Sequence, residues 1–233
     1  MKKSLTLLSL IALVSLASAQ NPKFYFEAKK QKTIQHEELD KARNLSDLMP
    51  DFPVLWITEI QQTELESAYE GKSILATGTG SLLSAEQKKL LQATALNSEL
   101  KLKVKYTYKN PVNGNPEAQT MKYNTEVVPF KPAEFTGGYE KLNEVMSKAM
   151  NGALSDPYSH EKFKQVKASL YINEKGEVED CSIIKSSGSA KIDQLFLDTI
   201  KAMPTWKAAE DAKGNKVKER FEFSFNAMAA GGC

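Results

Sequence analysis

From Leu100 to Tyr108 the chain alternates without a break. Leu100, Leu102, Val104, Tyr106 and Tyr108 fall on one side, and Lys101, Lys103, Lys105 and Thr107 on the other. Successive side chains of a strand point to opposite faces, so this run is a β-strand with one face in a core and one in water. Such a strand belongs to an antiparallel sheet, whose dry face must be covered by another element. The flanking sequence supplies the rest of a small unit. Val54-Leu55-Trp56-Ile57 and Ser73-Ile74-Leu75-Ala76-Thr77 read as strands, the second following the turn signal Gly71. Ser84 reads as a helix N-cap with Gln87 completing a capping box, and Leu90, Leu91, Ala95 and Leu96 follow at helical spacing. Met121 to Val128 alternates again, and with Asn113-Gly114 in the gap it forms a long-looped hairpin with the Leu100 strand. The expected order is strand, strand, helix, strand, strand. Upstream, residues 20–50 are polar and charged, and read as a loose strand followed by a short helix from Glu37 to Leu48.

A second patterned region lies beyond a break holding Pro129, Pro132, Gly137 and Gly138. Tyr139 to Met150 carries Leu142, Val145, Met146 and Met150 at helical spacing. Val166, Ala168, Leu170 and Ile172 alternate, Glu174-Lys175-Gly176 turns the chain, and Val178 to Ser186 returns as the partner strand. Ile192, Leu195, Phe196, Ile200 and Met203 share one face of a helix over Lys191–Met203, which Pro204 stops. Phe221, Phe223 and Phe225 form the inward face of a last strand. The fold class expected is α+β in two small domains, residues 20–128 and 139–233, joined by a linker at 129–138. The second domain runs helix-strand-strand-helix-strand around a three-stranded antiparallel sheet.

The first nineteen residues read as an export signal: Met1-Lys2-Lys3, an apolar run from Leu5 to Leu16, then Ala17-Ser18-Ala19 before Gln20. The run is shorter than the ~20 residues of a membrane-spanning helix. Cleavage between Ala19 and Gln20 would release the chain into the periplasm or medium; an uncleaved leader would anchor it instead. Two of the 31 basic residues, Lys2 and Lys3, lie in this leader, so the remainder balances the 29 acidic ones. A neutral chain has no long-range attraction for nucleic acid, which excludes that partner. The two cysteines, Cys181 and Cys233, form no CxxC pair. In an oxidising compartment they either remain thiols or form one disulfide tying the tail to a strand.

Nothing in the sequence assembles a catalytic site, so no enzyme, cofactor, metal or small-molecule substrate is expected. His36 and His160 lack metal-ligand spacing, and His36-Glu37-Glu38-Leu39-Asp40 lacks the second histidine of a zinc-protease helix. No serine occupies a nucleophile elbow. Thr77-Gly78-Thr79-Gly80-Ser81 lacks the ending of a phosphate loop and reads as a turn. The lysines at 101, 103 and 105 read as a solvated strand face.

Several runs together resemble the C-terminal domain of TonB: Tyr171 to Asp180 with Gly176, Lys185-Ser186-Ser187-Gly188, Ile192-Asp193, and Ile200-Lys201-Ala202-Met203-Pro204-Thr205-Trp206-Lys207, followed by Gly214, Val217 and the Phe-rich strand. Val128-Pro129 and Ala133 to Gly138 are similar to the lead-in of TonB-like proteins of the Bacteroidetes type, and Leu83 to Lys88 looks like an accompanying domain. The resemblance implies a protein partner, captured as an extended segment by the last strand; in this chain that places the contact at Arg220, Phe221, Glu222, Phe223, Ser224, Phe225 and Asn226. There are departures. The chain has nine scattered prolines and no Pro-rich span, Asp156-Pro157-Tyr158-Ser159 replaces the family's Tyr-Pro, and Lys164 or Gln165 stands where glycine is usual. The leading expectation is therefore an exported, non-enzymatic envelope protein that binds by strand addition. An anchored energy-transducing component for outer-membrane transport is the alternative, and a structural module that forms a homodimer is a third. Trp206 is expected to pack over the helix–sheet junction rather than to face a ligand.

Overall fold

The structure, a computed structural model, describes residues 24–29, 32–49, 52, 56–155, 163–204 and 206–227. The expected leader, His160, the Asp156–Ser159 stretch and Cys233 lie outside the described residues.

Two sheets organise the chain. The first has the order β2-β6-β5-β3-β4, built from β2 (Thr33–Gln35), β3 (Ile57–Tyr69), β4 (Lys72–Gly78), β5 (Glu99–Lys109) and β6 (Pro116–Val128). Its pairings are antiparallel except for β2, which runs parallel to β6. Leu100, Leu102, Val104 and Tyr106 are buried, as their alternation requires. On the other face Lys101 and Lys103 meet Glu66 and Glu64 of β3, and Lys105 donates to Gln62. The lysine stripe is thus a cross-strand ion-pair ladder. The β3–β4 hairpin turns at Glu70 and Gly71, both at positive φ, the geometry that matches the twist of two-residue hairpins.

Three helices cover the dry face: α1 (His36–Leu39), α2 (Leu45–Leu48) and α3 (Ala85–Gln92). The expected single helix over Glu37–Leu48 is two short helices. Asn44 caps the second, accepting from the N–H groups of Ser46 and Asp47, and its extended φ and ψ break the run between them. The capping box of α3 is present as expected: Gln87 N–H donates to Ser84 Oγ, and Ser84 N–H donates to Gln87 Oε1. The fully buried Gln87 also donates its amide to Thr63 at 2.9 Å, tying the helix to the sheet.

The second sheet has the order β1-β11-β7-β8: β1 (Phe24–Lys29), β7 (Gln165–Ile172), β8 (Val178–Lys185) and β11 (Glu219–Ala227). Helices α4 (Gly138–Ala153) and α5 (Ala190–Lys201) cover one face, burying Leu142, Met146 and Met150 from one and Ile192, Phe196 and Ile200 from the other. Against them lie Val166, Ala168, Leu170 and Ile172 of β7 and Phe221, Phe223 and Phe225 of β11. The sheet therefore has four strands where three were expected. The fourth is recruited from the far end of the sequence, and its Phe26 is 3% exposed in the second core.

Trp206 lies at 5% exposure with its ring 5.2 Å from those of Phe135 and Phe221, so it is a core residue, as expected. Its main-chain N–H donates to Gly176 at 2.7 Å, fastening the segment after α5 to the β7–β8 turn. Two very short strands, β9 (Ala209–Glu210) and β10 (Lys216–Val217), form a ribbon. The stretch expected as a linker, residues 129–138, bonds to the segment after α5. Lys131 and Glu210 exchange main-chain hydrogen bonds, Glu134 and Lys207 do the same, and Ala133 and Phe135 join the second core.

Candidate functional site

The expected partner contact, Arg220 to Asn226, is the body of β11, whose side chains divide by parity. The phenylalanines face the helices, while Arg220, Glu222, Ser224 and Asn226 lie on the opposite face, where Ser224 and Asn226 are buried. There Arg220 donates to Ser169 and pairs with Glu222 at 2.7 Å, Asn226 donates to Ser224 Oγ, and Gln165 donates to Asn226.

The last strand is not an edge of its sheet. β11 pairs with β7 along one side and with β1 along the other, in antiparallel register from Phe24 opposite Ala227 to Lys29 opposite Glu222. β1 also fills the side-chain groove. Phe24 stacks 5.8 Å from Phe225 and meets Phe163 edge-on at 5.5 Å, and Phe26 meets Phe223 edge-on at 5.1 Å. Where β1 ends, Asn97 continues the seal. Its side-chain amide accepts from Arg220 N–H at 2.8 Å and donates to Lys218 C=O at 3.0 Å, the two bonds a partner strand would make there. Asn97 is buried, has φ of 65°, and donates its own N–H to Val127, so the clamp belongs to the first unit.

The other strand borders differ from this one. β8 carries Asp180 at φ 50° beside a register shift, a bulge that twists an edge away from pairing. Asp180 and Glu179 hold Lys218, which also sits 4.3 Å over the Tyr171 ring. The Asp180 carboxylate, seconded by Glu179, keeps that ammonium above the ordinary lysine range. On the outer side of β1, Tyr139 donates its hydroxyl to Phe26 C=O. In the first sheet β4 is an outer strand with Ile74 and Leu75 exposed, and Ser84 Oγ donates to its Thr77 C=O. A cleft lined by Tyr69, Glu99, Tyr171 and Arg220 lies where the two units meet.

His36 is hydrogen-bonded to Thr94 C=O at 2.9 Å. Cys181 is a half-buried free thiol on β8, and burial pushes its pKa up. Among the described residues no cluster of His, Cys, Asp or Glu is placed to hold a metal ion, and no helix is long and apolar enough to cross a membrane. Sequence reasoning missed Phe24, Phe26 and Asn97. Phe24-Tyr25-Phe26 carries the same alternating aromatic signal as Phe221 to Phe225 and marks a strand. Nothing local to Asn97 foretells a clamp on residues more than a hundred positions away.

The second unit is a four-stranded antiparallel sheet backed by two helices, with the remote strand β1 laid along its last strand. Residues 164–227 match the family model for the C-terminal domain of the Gram-negative bacterial TonB protein. The match covers about a quarter of the chain, and this segment is similar to the TonB C-terminal domain. The match runs from the start of β7 to the end of β11, so it takes in neither β1 nor Asn97. Comparison with curated proteins and with solved structures returned no match.

Proposed function

We propose that this chain is an exported, non-enzymatic protein of the cell envelope that binds another protein by receiving an extended segment as an added strand of its TonB C-terminal sheet. One observation carries the reading. The outer border of β11 already pairs, in unbroken antiparallel register, with a segment almost two hundred residues away in sequence. A border that accepts a remote segment through main-chain bonds and two aromatic rings has the properties strand addition requires: backbone groups for affinity and pockets at alternate positions for selection. Export rests on the leader-like first nineteen residues.

Two measurements test the proposal. An array of ten-residue segments from outer-membrane and periplasmic proteins, screened by fluorescence anisotropy, should contain binders; an array without any would overturn strand addition. N-terminal sequencing of protein recovered from cells should begin at Gln20 in the soluble envelope fraction. A start at Met1 in the membrane fraction would replace this reading with the anchored transducer.

A further inference from the structure

We infer that β1 is a built-in stand-in for the partner: the binding border of β11 is closed at rest, and a partner segment with aromatic residues two positions apart opens it by displacing β1. The inference rests on the strand-addition reading and names the site, its resident occupant and the side-chain chemistry of the displacing segment.

Three observations carry it. First, β1 comes from the far end of the sequence and, like α4, lies outside the family-matched segment, yet it takes the border of β11 in continuous antiparallel register. Second, the second core closes largely without β1. Of the buried residues in that core only Phe26 comes from this strand, with Phe24 and Ala28 packed partly buried against it; the rest come from the two helices, β7, β11, the stretch from α4 to β7 and the segments that follow α5 and precede α4. Removing β1 would uncover the borders of Phe223 and Phe225 and the side of α4 where Tyr139 meets Phe26, while the contacts of α5 with β7 and β8 stay. Third, the occupant states the code. Phe24 and Phe26 fill the groove beside Phe163, Phe225 and Phe223, whereas Tyr25, pointing to the opposite face, is exposed. A competitor therefore needs large aromatic side chains at alternate positions and little else, because the remaining bonds are main-chain.

A tethered strand reduces the apparent affinity of a competitor by the fraction of time the border stands open. The test uses the full chain and two probes: a fluorescein-labelled peptide copying residues 22–31, and the same peptide with Phe24→Ser and Phe26→Ser. In one protein, Glu27→Cys and Ser224→Cys are introduced, with Cys181→Ser and Cys233→Ser to prevent mispairing. Positions 27 and 224 face each other in the ladder, at a spacing a disulfide spans. The expected result is binding of the first peptide by the reduced protein, loss of that binding on oxidation, and about tenfold or weaker binding of the serine peptide. A second protein with Phe24→Ser and Phe26→Ser, checked for cooperative melting, should bind the first peptide about tenfold more tightly than the parent chain.

Equal binding by oxidised and reduced protein would overturn the inference while leaving strand addition standing at another border, such as β4. No binding by any form, the melting-competent double-serine protein included, would overturn strand addition itself. Conversion of the reduced protein to a dimer in size-exclusion chromatography, without peptide uptake, would overturn the partner segment in favour of a second copy of this chain.

Discussion

Asn97 reaches across 123 positions of sequence to accept a hydrogen bond from the main-chain N–H of Arg220 at 2.8 Å. With its second bond, to Lys218 C=O, one side chain completes the backbone ladder of a strand in the other unit. Asn97 stands at positive φ, which asparagine tolerates better than most residues. The contact therefore combines a backbone requirement with a hydrogen-bonding one, and the two can be separated by mutation.

Asn97→Gly keeps the backbone conformation and removes the amide. It should cost about 1 kcal/mol, because the part-buried Lys218 C=O and Arg220 N–H lose their partner. Asn97→Ala adds the strain of a β-carbon at positive φ, so it should be worse by up to about 1 kcal/mol. Urea midpoints at constant m-value measure both, and equal midpoints for all three proteins would show that the clamp carries no stability.

Trp206 buries its ring among Phe135, Phe221 and Phe223, yet among the described residues its indole N–H has no hydrogen-bond partner. Trp206→Ala should cost about 3–5 kcal/mol by leaving a cavity. Trp206→Phe should be much milder, since it removes a buried donor that makes no bond. Thermal melts of the two variants should differ widely; similar melting temperatures would mean that the indole N–H, and not ring volume, matters.

Gly78 is close to Gln87 for a steric reason. A β-carbon there would lie 2.6 Å from Gln87 Oε1 and 3.0 Å from Thr63 Oγ1. That Oε1 is the acceptor of the α3 capping box, so Gly78→Ala pushes on both the cap and the helix–sheet tie. A destabilisation of about 1–3 kcal/mol is expected, with Gln87→Ala in the same background costing less than it does alone. A double-mutant cycle in urea checks the coupling.

Glu210 accepts from Lys131 at 2.8 Å and from Lys216 at 2.6 Å, and the Lys131 bond, followed by that from Lys216, holds its carboxyl down at about 2. A carboxyl whose folded pKa lies below its ordinary value of 4.5 contributes stability above that value. The contribution is lost as pH falls from about 4.5 towards 2. Glu210→Gln should therefore flatten the acid limb of the stability–pH curve in that window while changing its slope little at pH 7. An unchanged acid limb would show that the two lysines do not hold this carboxyl.

Much of the fold is legible in local sequence. The alternation of Leu100 to Tyr108, the Ser84 and Gln87 box, the helical faces of Leu142 to Met150 and Ile192 to Ile200, and the phenylalanines of the last strand all report in periods of 2 or 3.6. The burial of those residues follows the same periods. The strand expected over Val54–Ile57 meets β3 only at Ile57; Val54 and Leu55 lie outside the described residues and Trp56 is in a turn. The later positions of β3 alternate glutamate with Thr63, Leu65 and Ser67, so burial there is set by what the neighbouring elements cover rather than by hydrophobicity alone.

What the chain's residues determine by themselves is therefore the set of elements, which face of each turns inward, and the resemblance of the segment after α4 to the TonB C-terminal domain. Which strands flank β11 was decided by tertiary structure alone. Strand pairing is made through main-chain groups that every residue carries, so Phe24-Tyr25-Phe26 reads as a strand but does not name its neighbour. Its place beside Phe223 and Phe225 emerges only when two segments at opposite ends of the sequence meet across a shared core.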